Sequence, residues 1–216
     1  MKSGNIPAPA VRRLSLYLRQ LDRLRQSDRR TVSSRQLGDA LRLTDAQVRK
    51  DLAYFGQFGH PGIGYHVEEL IGRIRRILGT DRTWNVLLVG AGHLGTALSA
   101  HRGFARKGFR LVAVFDADRT KIGKTLPALN GVRIQPIDEI GPTVRDRGIR
   151  LAIVAVPAAA AQDVADRLVA AGIRGLLNFA PASLHVDPDV AVSSVDLAVQ
   201  LEQLSFQVGA AASPDG

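Results

Sequence analysis

An α/β chain in two parts, a small helical domain followed by a parallel sheet with helices on both faces, is what three features of this 216-residue sequence predict. Amphipathic helical segments separated by very short breaks fill the first third. A strand-like run then stops in a glycine-rich turn, "VLLVGAGHLGTAL" at residues 86–98, and a second strand-like run follows it. Beyond that, apolar strand patterns alternate with helical ones. The boundaries that follow are a helical domain over 1–79, a sheet domain over 80–195, and a C-terminal helix with its tail over 196–216.

A hydrophobic content of 45% is enough to bury a core without covalent staples. The absence of cysteine removes disulfides, thiolate metal sites and cysteine nucleophiles, and fits a cytoplasmic protein. The opening "MKSGNIPAPAVRRLSLYLRQ" lacks an apolar core with a cleavage site, and "LAIVAVPAAAA" at 151–161 is too short to span a membrane and is broken by a proline. A cytoplasmic protein with no membrane partner is expected. Charge is uneven: through Arg82 there are 16 Lys and Arg against 8 Asp and Glu, and from Thr83 onward 13 against 12. A localised basic domain suits a polyanion partner, because phosphate neutralisation releases counterions. A solvated arginine-rich surface would give the same totals, so pattern has to decide.

In "VRRLSLYLRQLDRLRQ" the residues Val11, Leu14, Leu18 and Leu21 recur at helical spacing and predict an amphipathic helix of about four turns. In "TVSSRQLGDAL" either Ser33 or Ser34 can cap a short helix that sets Leu37 and Leu41 a turn apart. After the break at Arg42, Leu43 and Thr44, a further helix starts with Thr44 as its cap and Asp45 in its first turn, and Val48, Leu52 and Phe55 line its buried side. Helix, tight turn and helix at this length is the helix-turn-helix pattern, whose second helix lies in the major groove of DNA. Its outward face carries Gln47, Arg49 and Lys50, with Tyr54 a turn later, residue types that reach base edges and phosphates.

Four glycines in "GQFGHPGIGY", at 56, 59, 62 and 64, allow the positive φ angles of a tight hairpin and predict a β-wing. "VEELIGRIRRILG" then presents Val67, Leu70, Ile71, Ile74 and Ile77 on one helical face, completing a winged-helix DNA-binding domain. The candidate DNA contacts are Ser33, Ser34, Gln47, Arg49, Lys50, Tyr54, His60 and Gly62.

"WNVLLVG" reads as a buried strand, and Gly90, Gly92 and Gly95 form G-x-G-x-x-G as it passes into "LGTALSAHRGF". Gly90 makes the tight turn, Gly92 lets the backbone approach a pyrophosphate, and Gly95 packs helix on strand. Ala91, His93 and Leu94 complete the candidate cofactor loop. The second strand, "RLVAVFD", ends in Asp116, 21 residues beyond Gly95, where a carboxylate bonds the adenosine ribose and repels a 2′-phosphate. NAD(H) is therefore expected over NADP(H). A glycine turn that binds nothing is the bland alternative, and the two-strand context weighs against it.

Strands "RLAIVAV", "IRGLLNF" and "VAVSSVD", with helices at 138–147 and in "AAAAQDVADRLVAAG", complete a Rossmann-like doubly wound parallel sheet. Ligands bind such sheets at the carboxyl ends of strands. That nominates Val156 and Pro157, then Asn178 and Phe179 with Ala180 and Pro181, as walls of a nicotinamide pocket, although Pro157 fits a helix start equally well.

Catalytic apparatus is missing. Tyr17, Tyr54 and Tyr65 are the only tyrosines and all lie in the first third, so the nucleotide domain holds no Tyr-x-x-x-Lys pair. His93, His101 and His185 have no separate substrate domain to serve, because the nucleotide fold uses up the roughly 130 residues after Thr83. No catalytic residue and no metal site is expected. A DNA-binding domain joined to a cofactor domain of this kind implies a ligand-controlled transcription factor. The alternatives are an NAD-dependent oxidoreductase with an accessory DNA-binding domain, and a CoA-binding regulatory module, against which Asp116 argues.

Over nearly its full length the chain resembles the redox-sensing transcriptional repressor Rex family, in "TVSSRQLG", "VRKDLAYFGQFG", "GIGY", "VGAGHLGTAL", "AAQDVADRLVAAGI", "LLNFAP" and "VDLAVQLEQLSF". The resemblance implies a homodimer that binds an inverted-repeat double-stranded DNA operator and releases it when NADH replaces NAD⁺. It also implies a C-terminal helix swapped between subunits, inserted between the two domains of the partner. In "LAVQLEQLSFQV" an apolar stripe of Leu197, Leu201, Leu204 and Val208 suits that role, and a helix packed on its own sheet would show the same stripe. The resemblance further makes Asp196 a switch carboxylate, paired with Arg13 in the DNA-binding state and with the position of His101 in the NADH state. Two residues depart from the family pattern: Pro61, after His60, where a basic residue usually precedes the glycine of "GIGY", and His101, where the family usually has tyrosine.

Overall fold

The computed structural model describes residues 6–59, 62–129 and 131–211. The chain divides into two compact units between Arg82 and Thr83.

In the first unit, helix α1 (Ala8–Gln26) starts behind Pro7 and buries Ala10, Leu14, Tyr17, Leu18 and Leu21. The expected stripe began at Val11, but Val11 is 40% exposed. The helical period that joins Leu14, Leu18 and Leu21 runs back to Ala10 and places Val11 to one side. Strand β1 (Thr31–Val32) leads into α2 (Ser34–Leu41). Ser33 caps α2 in a reciprocal box: its Oγ accepts the Gln36 N–H at 3.1 Å and Gln36 Oε1 accepts the Ser33 N–H at 2.9 Å. Helix α3 (Asp45–Ala53) follows, with Thr44 Oγ1 accepting the Gln47 N–H at 3.1 Å.

The turn between α2 and α3 is tight. Arg42 is left-handed at φ 57°, and a Cβ on Gly38 would fall 2.5 Å from the Leu43 carbonyl oxygen. Strand β2 (Tyr65–His66) pairs antiparallel with β1, Thr31 opposite His66 and Val32 opposite Tyr65. The expected hairpin within the glycine-rich segment is thus replaced: no described residue of 56–63 is in a strand, and the partner of β2 precedes α2. Gly56, Gly59, Gly62 and Gly64 all take positive φ, which curls the segment out of the extended state that pairing needs. Helix α4 (Val67–Ile77) closes the unit, burying Val67, Leu70, Ile71 and Ile74 against α1 and α3.

The second unit alternates β3 (Trp84–Val89), α5 (His93–Ser99), α6 (Arg102–Arg106), β4 (Phe109–Asp116), β5 (Ile134–Pro136), α7 (Ile140–Arg147), β6 (Leu151–Val154), α8 (Ala158–Ala170), β7 (Gly175–Asn178), β8 (Ala191–Ser194) and α9 (Leu197–Ala211). The strands form one parallel sheet in the order β5-β4-β3-β6-β7-β8. This is the Rossmann order, with the topological switch point between β3 and β6. Strand β5, three residues long, shows no alternation that the sequence could display. The single helix expected after the glycine loop is broken in two. His101 takes an extended ψ of 96° and its ring lies over Gly103, where a Cβ would come 2.5 Å from Nε2.

Helices α7 and α8 cover one sheet face, packing Val144, Val164 and Leu168 on Leu87, Phe115 and Val154. On the other face α5 and α6 pack Leu98 and Phe104 near Val86 and Val114, leaving an apolar groove of about 430 Å³ lined by Leu111, Ile153, Leu177 and Val192. Among the described residues no helix is long and apolar enough to cross a membrane.

Candidate nucleotide and DNA sites

The three glycines of the loop after β3 meet different constraints. Gly90 has φ 99°, and a Cβ there would sit 2.3 Å from the Ala155 carbonyl oxygen beyond β6. Gly95 lies in α5 directly on the turn, where a Cβ would fall 1.8 Å from the Gly90 carbonyl oxygen. Nothing lies within 4 Å of a Cβ on Gly92, whose φ of −77° suits any residue. Two glycines are demanded by the protein itself, and the third leaves open space. His93 and Leu94 are exposed beside that space, while Ala91 is buried.

Asp116 ends β4 and is 8% exposed. One oxygen, Oδ2, accepts the Ala91 N–H at 2.7 Å and the Lys121 ammonium at 3.1 Å, and the other, Oδ1, accepts the Asp118 N–H at 2.8 Å. Burial pushes this carboxyl up, but those donors outweigh burial and hold it below the usual carboxylate range. Sequence reading weighed the carboxylate and missed Lys121, which also stands 3.7 Å from Asp118 and brings a cation to the same corner. Five residues of separation in "DADRTK" was the available signal.

Across the switch point, the half-buried Val156 stands beside Gly90. Pro157 is exposed and is the N-cap residue of α8, in keeping with the helix-start alternative. Asn178 is fully buried and turned inward: Nδ2 donates to the carbonyls of Ala180 at 3.2 Å and Ala182 at 2.8 Å, and Oδ1 accepts the Ala180 N–H at 2.9 Å. Its amide shapes the loop after β7 and has little left for a ligand. Phe179 is half-buried against the second sheet face, and its N–H donates to Val154 at 2.8 Å.

On the first unit, Arg49 Nη1 donates to Asp45 Oδ2 at 2.6 Å and to Ser34 Oγ at 3.2 Å, which holds the guanidinium along the outer face of α3. Lys50 is exposed, and Tyr54, just beyond the helix, is 41% exposed. Arg49, Ser33, Ser34, Gly62 and Tyr65 border one recess between α3 and the glycine-rich segment. His60 and Pro61 lie outside the described residues.

Gln47 is engaged inward, its Nε2 donating to Asp51 Oδ1 at 2.7 Å. Asp51 has no exposed surface, and it also accepts from Arg13 Nε at 2.5 Å and Nη2 at 2.7 Å and from the Tyr17 hydroxyl at 2.7 Å. Burial pushes the Asp51 carboxyl up, yet Arg13, Tyr17 and Gln47 together hold it below the usual range. Burial and the same carboxylate push the Tyr17 phenol up. Sequence reading missed this cluster, whose signal was an acidic residue on the apolar side of α3 next to Leu52.

His101 is exposed, with its ring edge-on to Phe104 at 4.9 Å. Asp196 Oδ1 caps α9 by accepting the N–H groups of Ala198 at 2.9 Å and Val199 at 3.2 Å. Among the described residues no group of three or more His, Asp or Glu side chains could hold a metal ion.

A helix-turn-helix that presents arginine and lysine, in one chain with a Rossmann sheet bearing a glycine loop and a corner carboxylate, defines a class: DNA-binding regulators under nucleotide control. The redox-sensing transcriptional repressor Rex of Carboxydothermus hydrogenoformans is 51% identical over 96% of this chain and 99% of its own, and that of Streptomyces coelicolor is 43% identical over 100% and 84%. This chain belongs to the Rex family. RSP, a Rex-family repressor solved in complex with β-NAD⁺ and operator DNA, matches at TM-score 0.91 and 34% identity over 97% of this chain and 95% of its own. RSP in complex with β-NADH matches at TM-score 0.85 and 33% identity over 96% of each chain. Family models described as "Putative DNA-binding protein N-terminus" and "CoA binding domain" match residues 5–53 and 81–182.

Proposed function

We propose that this chain is an NADH-responsive transcriptional repressor and not an enzyme: as a cytoplasmic homodimer it holds an inverted-repeat operator and releases it when NADH binds. The observation that carries the reading is that RSP, similar over almost the whole chain, has been captured both with NAD⁺ on operator DNA and with NADH. The domains are a DNA-binding unit over 1–79, a nucleotide unit over 80–195 and a dimerisation helix with its tail over 196–216.

In the nucleotide unit the pyrophosphate lies against the loop of Gly90, Ala91, Gly92, His93, Leu94 and Gly95, and the open space at Gly92 supports this placement. Asp116 receives the adenosine ribose. Val156, Pro157 and Phe179 face the nicotinamide, with Asn178 holding their loop in place. In the DNA-binding unit α3 enters the major groove, Arg49, Lys50 and Tyr54 reach bases or phosphates, and Ser33, Ser34, His60 and Gly62 flank them. Replacing Arg49 or Lys50 by alanine should weaken operator binding by about 1–3 kcal/mol where the side chain reads a base, or flatten the salt slope by about one unit where it holds a phosphate. Unchanged affinity and slope in both variants would remove α3 from the groove.

Helix α9 supports the swap. Leu197, Leu201, Leu204, Phe206 and Val208 are each more than half exposed, an apolar stripe that a chain does not leave in water. Asp196, at the head of that helix, meets Arg13 in the DNA-binding state and His101 in the NADH state.

The test is a mobility shift on an operator selected by the protein from random duplexes, run across NADH/NAD⁺ ratios with NADPH and CoA as controls. DNA should be held with NAD⁺ and released as NADH rises, with no release by the controls. Release by CoA would favour the CoA-binding alternative that the family model over 81–182 raises, and no response to NADH would overturn the proposal.

A further inference from the structure

Helix α3 offers its outer face to DNA, yet its one fully buried charge points the other way, onto α1. Asp51 binds Arg13 and Tyr17 from α1 and Gln47 from its own helix. We propose that Asp51 is a positioning residue for operator recognition and release, a buried anchor that ties the switch arginine Arg13 and the helix residue Gln47 to one point. The inference rests on the reading of α3 as the groove helix and of Arg13 as a switch residue.

A carboxylate with no exposed surface cannot lose its countercharge cheaply. Were Arg13 to swing away, Asp51 would be left with two neutral donors in a site closed to water, a far greater cost than parting an exposed ion pair. Arg13 therefore meets any second carboxylate while still bonded to Asp51. Its geometry permits this: the Asp51 contacts use Nε and Nη2, leaving part of a five-donor guanidinium, and 24% of the side-chain surface is open. A carboxylate arriving on the open edge shares the guanidinium charge and loosens its hold on Asp51.

At the other end of the cluster, the bond fixes an amide. An unrestrained glutamine can offer either its donor or its acceptor end, whereas Asp51 accepts only and so commits Nε2 of Gln47 to itself. Gln47 is the third residue of α3, in the N-terminal turn through which a recognition helix reaches base edges. One buried carboxylate thus sets both the hydrogen-bonding end that α3 presents and the place where Arg13 stands.

The test compares the full-length wild type with Asp51→Asn and Gln47→Ala. Four quantities are measured: operator affinity, base preference across the selected site, the NADH concentration for half-release, and NADH affinity of the free protein by calorimetry. Asp51→Asn should weaken operator binding about tenfold or more, relax base preference at the position that Gln47→Ala also relaxes, and shift half-release by severalfold while NADH affinity stays as in wild type. A purely structural role would lower the melting temperature and leave base preference and half-release in place. Should Asp51→Asn not fold, Gln47→Ala and the nitrogen NMR signal of Arg13 Nε–H in wild type decide. That signal should stay protected in the free, operator-bound and NADH-bound protein, and its loss in any state, or unaltered base preference in Gln47→Ala, overturns the inference. Failure of wild type to bind an operator or to release it with NADH would instead overturn the proposed function.

Discussion

A chain carrying Leu201→Asp and Phe206→Asp should sediment as a monomer and lose operator affinity by about 10²- to 10⁴-fold, the range by which linking two half-site contacts raises binding. The two side chains are 67% and 77% exposed, so they support nothing in the chain's own fold and their replacement should leave its melting temperature nearly unchanged. In a dimer they would be buried, where an unpaired carboxylate is costly. The uncovered groove over β6, β7 and β8 is a second apolar surface that the same assembly would cover. Sedimentation velocity on the variant decides the matter: a persistent dimer would show that α9 is not the dimerisation helix.

The second large effect is expected at the ribose corner. Wild type should bind NADH well and NADPH poorly. Asp116→Ala should lose about 1–3 kcal/mol of NADH binding and gain NADPH binding, so that the preference closes or reverses. The gain comes from Lys121, whose ammonium is tied to Asp116 at 3.1 Å and becomes available to a 2′-phosphate once the carboxylate is gone. Asp116→Ala combined with Lys121→Ala should bind NADPH no better than wild type does. Calorimetry with both nucleotides on the three proteins checks this, and equal binding of both by wild type would remove Asp116 from the ribose site.

What could be read from the sequence was governed by distance along the chain. Ser33 and Thr44 caps, the glycine loop and the αβ alternation depend on residues within a turn or two of each other, and all were legible. The strand partner of Tyr65 was not, because Val32 lies across two whole helices, and glycine-rich composition suggested a nearer hairpin. Asp51 looked like a surface charge on a helix, since only the packing of α1 on α3 brings Arg13 and Tyr17 to it. The break at His101 was hidden for a different reason: "LGTALSAHRGF" has helical pattern throughout, and the ring contact with Phe104 that accompanies the break is a tertiary choice. Lys121 escaped because a fingerprint that asks for one carboxylate does not ask what neutralises it.

The unequal constraints on the three loop glycines bear on how such a protein can evolve. A side chain at Gly90 or Gly95 collides with backbone at 2.3 Å or 1.8 Å, so a lineage that substitutes either one loses the sheet domain together with its cofactor. At Gly92 the backbone is ordinary and the surroundings are empty, so a larger residue there would be invisible to folding and would occupy only the place proposed for the pyrophosphate. Escape from metabolic control therefore has a one-step route that keeps the protein intact, and selection on the signal can be told from selection on the scaffold by which of the three positions drifts.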